Sequence, residues 1–159
     1  MYIFAIDPGP EYSGYVKWDV DEQIIIAKGK VDNVQLEYEV MMFETIQSKQ
    51  DFIVMEAILP QQQPLGYALL RTIEQVAYYK IKYKAKPVYR TDIKIHYCGQ
   101  VKGIGDKQIR GALIDRFGGK EKAIGKKKSQ GKLYRVSGDM WQALAVAIYF
   151  EDQLKLLKG

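Results

Sequence analysis

Apolar positions fall along the chain in short blocks whose period changes. Residues 2–7 (YIFAID) are an almost unbroken apolar run closed by a carboxylate, the pattern of a buried strand. Residues 13–19 (SGYVKWD) alternate, and Ile24-Ile25-Ile26-Ala27 continues through Lys28 to Val31, so two more strands follow, joined by the turn Asp19-Val20-Asp21-Glu22. Connections this short predict an antiparallel meander. After Asn33, an expected N-cap, Leu36, Val40, Phe43 and Ile46 recur every three or four residues and predict a helix over about 35–49. Phe52-Ile53-Val54-Met55 is again short and apolar, a buried strand that also ends in an acid, Glu56.

Pro60 and Pro64 bracket a loop ahead of a second helix, about 65–83, with Leu69, Leu70, Ile73, Val76 and Ala77 as its apolar stripe. Pro87-Val88-Tyr89 fits a fifth strand. Asp106 is expected to cap a helix over 107–117, which Gly118-Gly119 ends. Residues 118–135 hold seven basic residues, one acid and four glycines with poor periodicity, predicting a mobile basic loop or hairpin. A last helix over about 138–157 opens at Ser137-Gly138-Asp139 and contains the apolar run ALAVAIYF. A meander followed by alternating helices and short strands predicts an α/β fold, a mixed five-stranded sheet with helices on both faces. At 159 residues it forms one domain, 1–159.

Composition narrows the setting. With 47% apolar and 27% charged residues the chain reads as globular. One cysteine, Cys98, excludes an internal disulfide and suits a reducing compartment, and Cys98 with the one histidine, His96, falls short of the roughly four N/S ligands of a structural zinc site. No apolar run approaches the roughly 18 residues of a membrane span, so a cytoplasmic location without membrane contact is expected. The net charge of +5 is unevenly spread. Residues 1–79 carry 5 Lys/Arg and 12 Asp/Glu, whereas residues 80–135 carry 17 against 4, a balance of +13. So concentrated an excess predicts a surface facing a nucleic acid.

Two strands from distant parts of the chain, IFAID and FIVME, both end in an acid. As neighbours they would bring Asp7 and Glu56 to one sheet edge, and two close carboxylates repel unless a divalent cation lies between them. Asp139, at the start of a helix whose apolar body must pack on the sheet, can complete the group. Oxygen ligands without His or Cys suit a hard ion such as Mg²⁺ or Mn²⁺. Two such ions about 3.5–4 Å apart are a standard means of cleaving phosphodiesters. Each acid also has a plainer explanation. Asp7 precedes Pro8-Gly9 and fits a turn, Glu56 ends a strand, and Asp139 fits an N-cap. Together with the basic middle, the three favour a metal-dependent nuclease.

The stretches IFAIDPGPEYSGYVKWD, FIVMEAI, VYRTDIKIHYCGQVKGIGDKQIRGALIDRFGG and GDMWQALAVAIYF, in this order, cover most of the chain. In them the chain resembles the RuvC-type Holliday junction resolvases, particularly the compact bacteriophage branch, within the RNase H-like superfamily. The opening D-x-G is widely shared; the third stretch beside the G-D-x-W-x-A-L-A-V-A ending is more specific. The resemblance implies an RNase H-like sheet and a homodimer that nicks a four-way DNA junction symmetrically, leaving 5′-phosphate and 3′-hydroxyl ends. It implies two Mg²⁺ ions per site, Mn²⁺ able to substitute, at Asp7, Glu56 and Asp139. The family commonly has a second acid one turn after the position of Asp139. Here Gln142 stands there, offering an oxygen but no charge.

Lys107, in D-K-Q, matches family lysines near the scissile phosphate and is expected to neutralise charge during cleavage; its plainer role is an exposed helix lysine. Gly66 and Tyr67 fall where the family contacts the junction centre, although Tyr67 also fits a core. By charge, Lys94, Arg110 and Lys126-Lys127-Lys128 are expected to contact phosphates. His96 is expected to be incidental. A phage-encoded resolvase would work in the host cytoplasm, and no small-molecule cofactor is expected. Alternatives are a non-catalytic branched-DNA-binding protein and a nuclease of RNA–DNA hybrids or forks. An actin-like phosphotransferase would need a second domain that 159 residues cannot hold.

Overall fold

Alternation along the first strand decides the layout. Phe4 and Ile6 point to one side of it, Ile3 and Ala5 to the other, and all four are buried, so helices must cover both faces. The computed structural model describes residues 1–58 and 66–159. Its strands are β1 (Tyr2–Asp7), β2 (Tyr12–Asp19), β3 (Ile24–Asp32), β4 (Phe52–Ala57) and β5 (Lys86–Tyr89), in the sheet order β3-β2-β1-β4-β5. The first three form the expected antiparallel meander, β4 runs parallel to β1, and β5 runs parallel to β4. The mixed five-stranded α/β sheet is as the sequence pattern predicts. The expected loop holding Pro60 and Pro64 lies outside the described residues.

One face is covered by α1 (Asn33–Ile46) and α2 (Tyr67–Lys82), which bury Leu36, Val40, Phe43 and Tyr79 against Phe4, Ile6 and Met55. The other carries α3 (Arg90–Cys98), α4 (Asp106–Arg116) and α6 (Met140–Lys158), with α5 (Lys120–Ala123) leading into a small hairpin of β6 (Gly125–Lys126) and β7 (Ser129–Gln130). Residues 141–148 of α6 are all buried, and four of the eight are alanine or glutamine rather than large hydrophobes. Small side chains let this helix lie close on the sheet. Among the described residues, no helix is long and apolar enough to cross a membrane.

Several boundaries differ from expectation, each for a local reason. Asp32, not Asn33, caps α1, accepting from the backbone N–H groups of Val34 at 3.0 Å and Gln35 at 2.8 Å. Asp106 lies inside α4 rather than capping it. The cap is Gly105, whose N–H donates to the Gln108 side chain at 3.0 Å, while the Asp106 carboxylate is taken by Arg90. The stripe expected on α2 is only partly covered. Leu70 and Ala77 are exposed, and Thr72 and Tyr79 are buried instead. Helix α3 is a finding of the structure. With Ile93 as its one buried residue it has no stripe to read. Of the loop and hairpin readings for 118–135, the hairpin forms, anchored by buried Ala123, Leu133 and Val136.

Glu151 ties α6 to the meander. It is fully buried, accepting from Trp18 Nε1 at 2.6 Å and Gln23 Nε2 at 2.7 Å, with Lys155 paired one turn on. Removing the carboxylate orphans the buried indole N–H. Glu151→Ala is therefore expected to destabilise the chain by about 2–4 kcal/mol in urea denaturation. Glu151→Gln, which keeps one acceptor, loses less. An unchanged midpoint for the alanine variant would refute this tie.

Candidate functional site

Parallel pairing of β1 with β4 brings two strand exits to one edge. Ile6 lies opposite Met55, so the next residues, Asp7 and Glu56, emerge side by side. By the two-residue period they share the face of Ala5 and Val54, the face that α6 covers. β5 adds a third exit at the same edge, since Ala57 is opposite Tyr89 and Arg90 follows at once.

α6 starts over these exits. Its preceding residue, Asp139, is held against Gly14, which pairs with Asp7 in the β1–β2 ladder. A Cβ on Gly14 would stand 2.7 Å from the Asp139 carbonyl carbon and 2.8 Å from its Cβ, so only glycine lets the helix come this near. The Asp139 side chain makes no cap hydrogen bond and instead accepts from Lys30 Nζ at 2.8 Å.

The turn after Asp7 is fixed without the Asp7 side chain. Gly9 N–H donates to Ser13 Oγ at 3.1 Å, the Ser13 hydroxyl donates to Asn33 Oδ1 at 2.7 Å, and Asn33 Nδ2 donates to the Gly9 carbonyl at 3.1 Å. This ring does the work that a turn-capping aspartate would do, leaving the Asp7 carboxylate for another purpose.

Arg90 gathers the remaining acids. Its Nη1 donates to Glu56 at 3.1 and 3.3 Å and to Gln142 Oε1 at 2.8 Å, and its Nη2 reaches Asp106. Glu56 and Gln142 are each only 6% exposed. The electrostatics follow. Burial, with Glu56 and Asp139 adding repulsion, pushes Asp7 from 3.8 up to about 8. Burial also raises Glu56, against the pull of Arg90 and Lys94. The hydrogen bond to Asp139 raises Lys30.

A half-buried carboxylate whose pKa is raised this far is short of positive charge, and the oxygen-only ligands suit a hard cation. The fit is partial. Among the described residues, no three His, Cys, Asp or Glu side chains form a ready ion cage, and Asp139 and Glu56 are paired with Lys30 and Arg90. Asp7 and Asp139 both line an open cleft of about 490 Å³, with Lys107, Arg110 and Gln142 on its wall and Arg110 stacked 4.8 Å over the Trp141 ring. An adjoining cleft of about 390 Å³ shares the same two aspartates and includes Lys30.

Of the residues singled out in the sequence, Asp7, Asp139, Gln142, Lys107 and Arg110 therefore meet in one cleft, and Glu56 lies behind it. Lys94, on α3, is near enough to act on Glu56. Lys126, Lys127 and Lys128 are exposed at the hairpin, outside the cleft lining. Gly66 and Tyr67, at the start of α2, also lie outside it, with Tyr67 77% exposed rather than core. His96 contacts Asp152 at 2.9 Å, which Arg116 also holds, a pairing that does not involve the cleft. Sequence reasoning missed Arg90, Lys30, Gly14 and Asn33. The first was within reach, since the logic that singled out Asp7 and Glu56 applies equally to the residue after the fifth strand.

No family model matches the chain, and no curated protein matches it by sequence. Solved structures do. RuvC of Thermus thermophilus superposes with a TM-score of 0.66 at 13% identity, over 98% of this chain and 96% of that one. T. thermophilus RuvC in complex with a Holliday junction substrate gives 0.65 at 12% over the same shares. The fowlpox virus Holliday junction resolvase aligns over 96% of this chain and 99% of that one at 16% identity, with a TM-score of 0.49. The chain thus has the RNase H-like fold of RuvC.

Proposed function

We propose that this chain, sharing the fold of RuvC, is a divalent-cation-dependent endonuclease of branched DNA, with four-way junctions as its main substrate. The observation that carries the reading is the joint presence of Asp7 and Asp139 with Lys107 and Arg110 in one open cleft. Cations alone would only bind a phosphate backbone, and carboxylates alone would repel it. Both in one cleft are what metal-assisted phosphodiester hydrolysis needs. The junction as substrate comes from the RuvC complex, whose protein aligns with nearly all of this chain.

Asp7 and Asp139 would hold Mg²⁺ or Mn²⁺, with Glu56 behind them. Such an ion acidifies water and offsets charge at the phosphate. Lys107 and Arg110 grip the phosphate, and Lys107 offsets charge as the water oxygen bonds to phosphorus. The P–O3′ bond breaks with its electron pair on O3′, which takes a proton, leaving a 3′-hydroxyl and a 5′-phosphate. Lys94 and Lys126–Lys128 position DNA without reading its bases, and Tyr67, beside Gly66, offers an exposed ring on which an unpaired base can stack. Paired nicks require two sites, hence a homodimer. The exposed Met41, Met42 and Ile46 of α1 are apolar side chains available to it.

The test is a cutting assay on labelled four-way junction, fork, RNA–DNA hybrid and linear duplex, with Mg²⁺, Mn²⁺ or chelator. Paired, metal-dependent nicks confined to branched DNA are expected, from a species of twice 18.3 kDa. The hold of Arg90 on Glu56 and Gln142 favours one rival, a non-catalytic junction-binding protein. Tight binding with no cutting in either metal would establish that rival.

A further inference from the structure

We infer that the cation between Glu56 and Gln142 is Arg90 itself, so that the site takes one divalent ion, at Asp7 and Asp139, beside a built-in guanidinium. The inference rests on the nuclease reading above.

Two buried oxygen donors from different elements, Glu56 of β4 and Gln142 of α6, converge on a single atom, Arg90 Nη1, at 2.8–3.3 Å. That point is a cation position by construction, and the chain fills it. The charges agree. At Nη1 the guanidinium meets one buried negative charge, Glu56, and a neutral amide oxygen, Gln142, while its second carboxylate partner, Asp106, is 68% exposed and screened by water. Asp106 takes Nη2 on the outer side, so three elements hold the group. Arginine keeps its charge at any working pH and makes a planar fork suited to several oxygens at once.

The two ion pairs of the site differ in how readily they yield. Lys30 and Asp139 are half exposed, at 53% and 40%, and a pair so open to water contributes little and parts easily. The side chains of Arg90 and Glu56 are 29% and 8% exposed, and separating them leaves a buried carboxylate unpaired. An incoming ion therefore displaces Lys30 from Asp139 and leaves Arg90 in place. Three of the five guanidinium N–H groups are used within the protein, and Arg90 lines the cleft. The remaining two can donate to a phosphate oxygen. Arg90 thus positions Glu56 and Gln142 and supplies fixed positive charge at the phosphate.

The experiment titrates Mn²⁺ into the full chain, with and without a four-way junction, counting bound ion by electron paramagnetic resonance. One ion per chain is expected in both, once the Mn²⁺ taken up by the junction alone is subtracted, with a cutting rate that rises hyperbolically, not sigmoidally, with Mg²⁺. Arg90→Gln should cut about 100-fold more slowly yet still bind one ion and the junction. Arg90→Gln combined with Gln142→Asp should take up a second ion. Two ions per wild-type chain, or an Arg90→Gln variant cutting at the wild-type rate, overturns the assignment. Because the count on the wild type needs no variant to fold, it decides on its own. A wild type that binds one ion and cuts nothing would instead refute the nuclease reading while supporting the count.

Discussion

Asp7→Asn is expected to lower cutting by on the order of 10³-fold or more while the junction is still bound, and to make the metal-free protein more stable. The second effect identifies the cause of the first. In the folded chain Asp7 holds its proton up to about pH 8, whereas the ordinary value is 3.8. Between those values the folded state binds more protons than the unfolded state, so stability falls as pH rises through the window, and the penalty is complete above pH 8. Asparagine mimics the protonated acid and removes the penalty. In chelator, urea denaturation should show the variant more stable than wild type at pH 8, by on the order of a few kcal/mol, and nearly equal at pH 4. Divalent metal should stabilise the wild type and release protons below pH 8, but do little for the variant. Wild-type cutting by Asp7→Asn would sink the site assignment, and parallel pH profiles would sink its electrostatics.

Gly14→Ala is the second large effect expected, and it acts without touching any charge. The added methyl meets the backbone of Asp139 at 2.7 Å, and backbone cannot turn aside as a flexible side chain would. The start of α6 must shift away from β2, costing about 1–3 kcal/mol of stability. Displacing Asp139 relative to Asp7 by part of an ångström should slow cutting on the order of 100-fold, with junction affinity retained. Gly111→Ala on α4, where a Cβ meets nothing within 4 Å, is the matched control and should be neutral or slightly stabilising. Equal cutting by Gly14→Ala and Gly111→Ala would show that the close approach of helix and strand has no bearing on the chemistry.

The sheet was legible because β1 and β4 are apolar on both faces, β2 alternates, and the connections of the meander are short. The acid closing each of the apolar runs β1 and β4 also marked Asp7 and Glu56 as a pair should the strands be neighbours, as their parallel pairing makes them. What escaped was set by contacts that leave no local pattern. Asn33 looks like an N-cap and Asp32 caps, because Asn33 is drawn to Gly9 and Ser13, far off in sequence. Helix α3 buries one residue, so periodicity had nothing to register. In the sequence Arg90 is one more basic residue in a basic region; only the parallel alignment of β5 with β4 puts it among the acids. Gly14 sits mid-strand, and the reason for it lies in a helix that begins more than a hundred residues later.

The ring joining Gly9, Ser13 and Asn33 has a mechanical consequence. The turn that carries Asp7 out of the sheet is fastened to the first residue of α1, a helix whose outer side is apolar and exposed. A small slide of α1 along its axis, driven by anything that settles on that side, would therefore pull on the Asp7 turn through two side chains. The turn that carries the carboxylate and the outer helix are thus parts of one hydrogen-bonded linkage, so that a displacement of either is carried to the other.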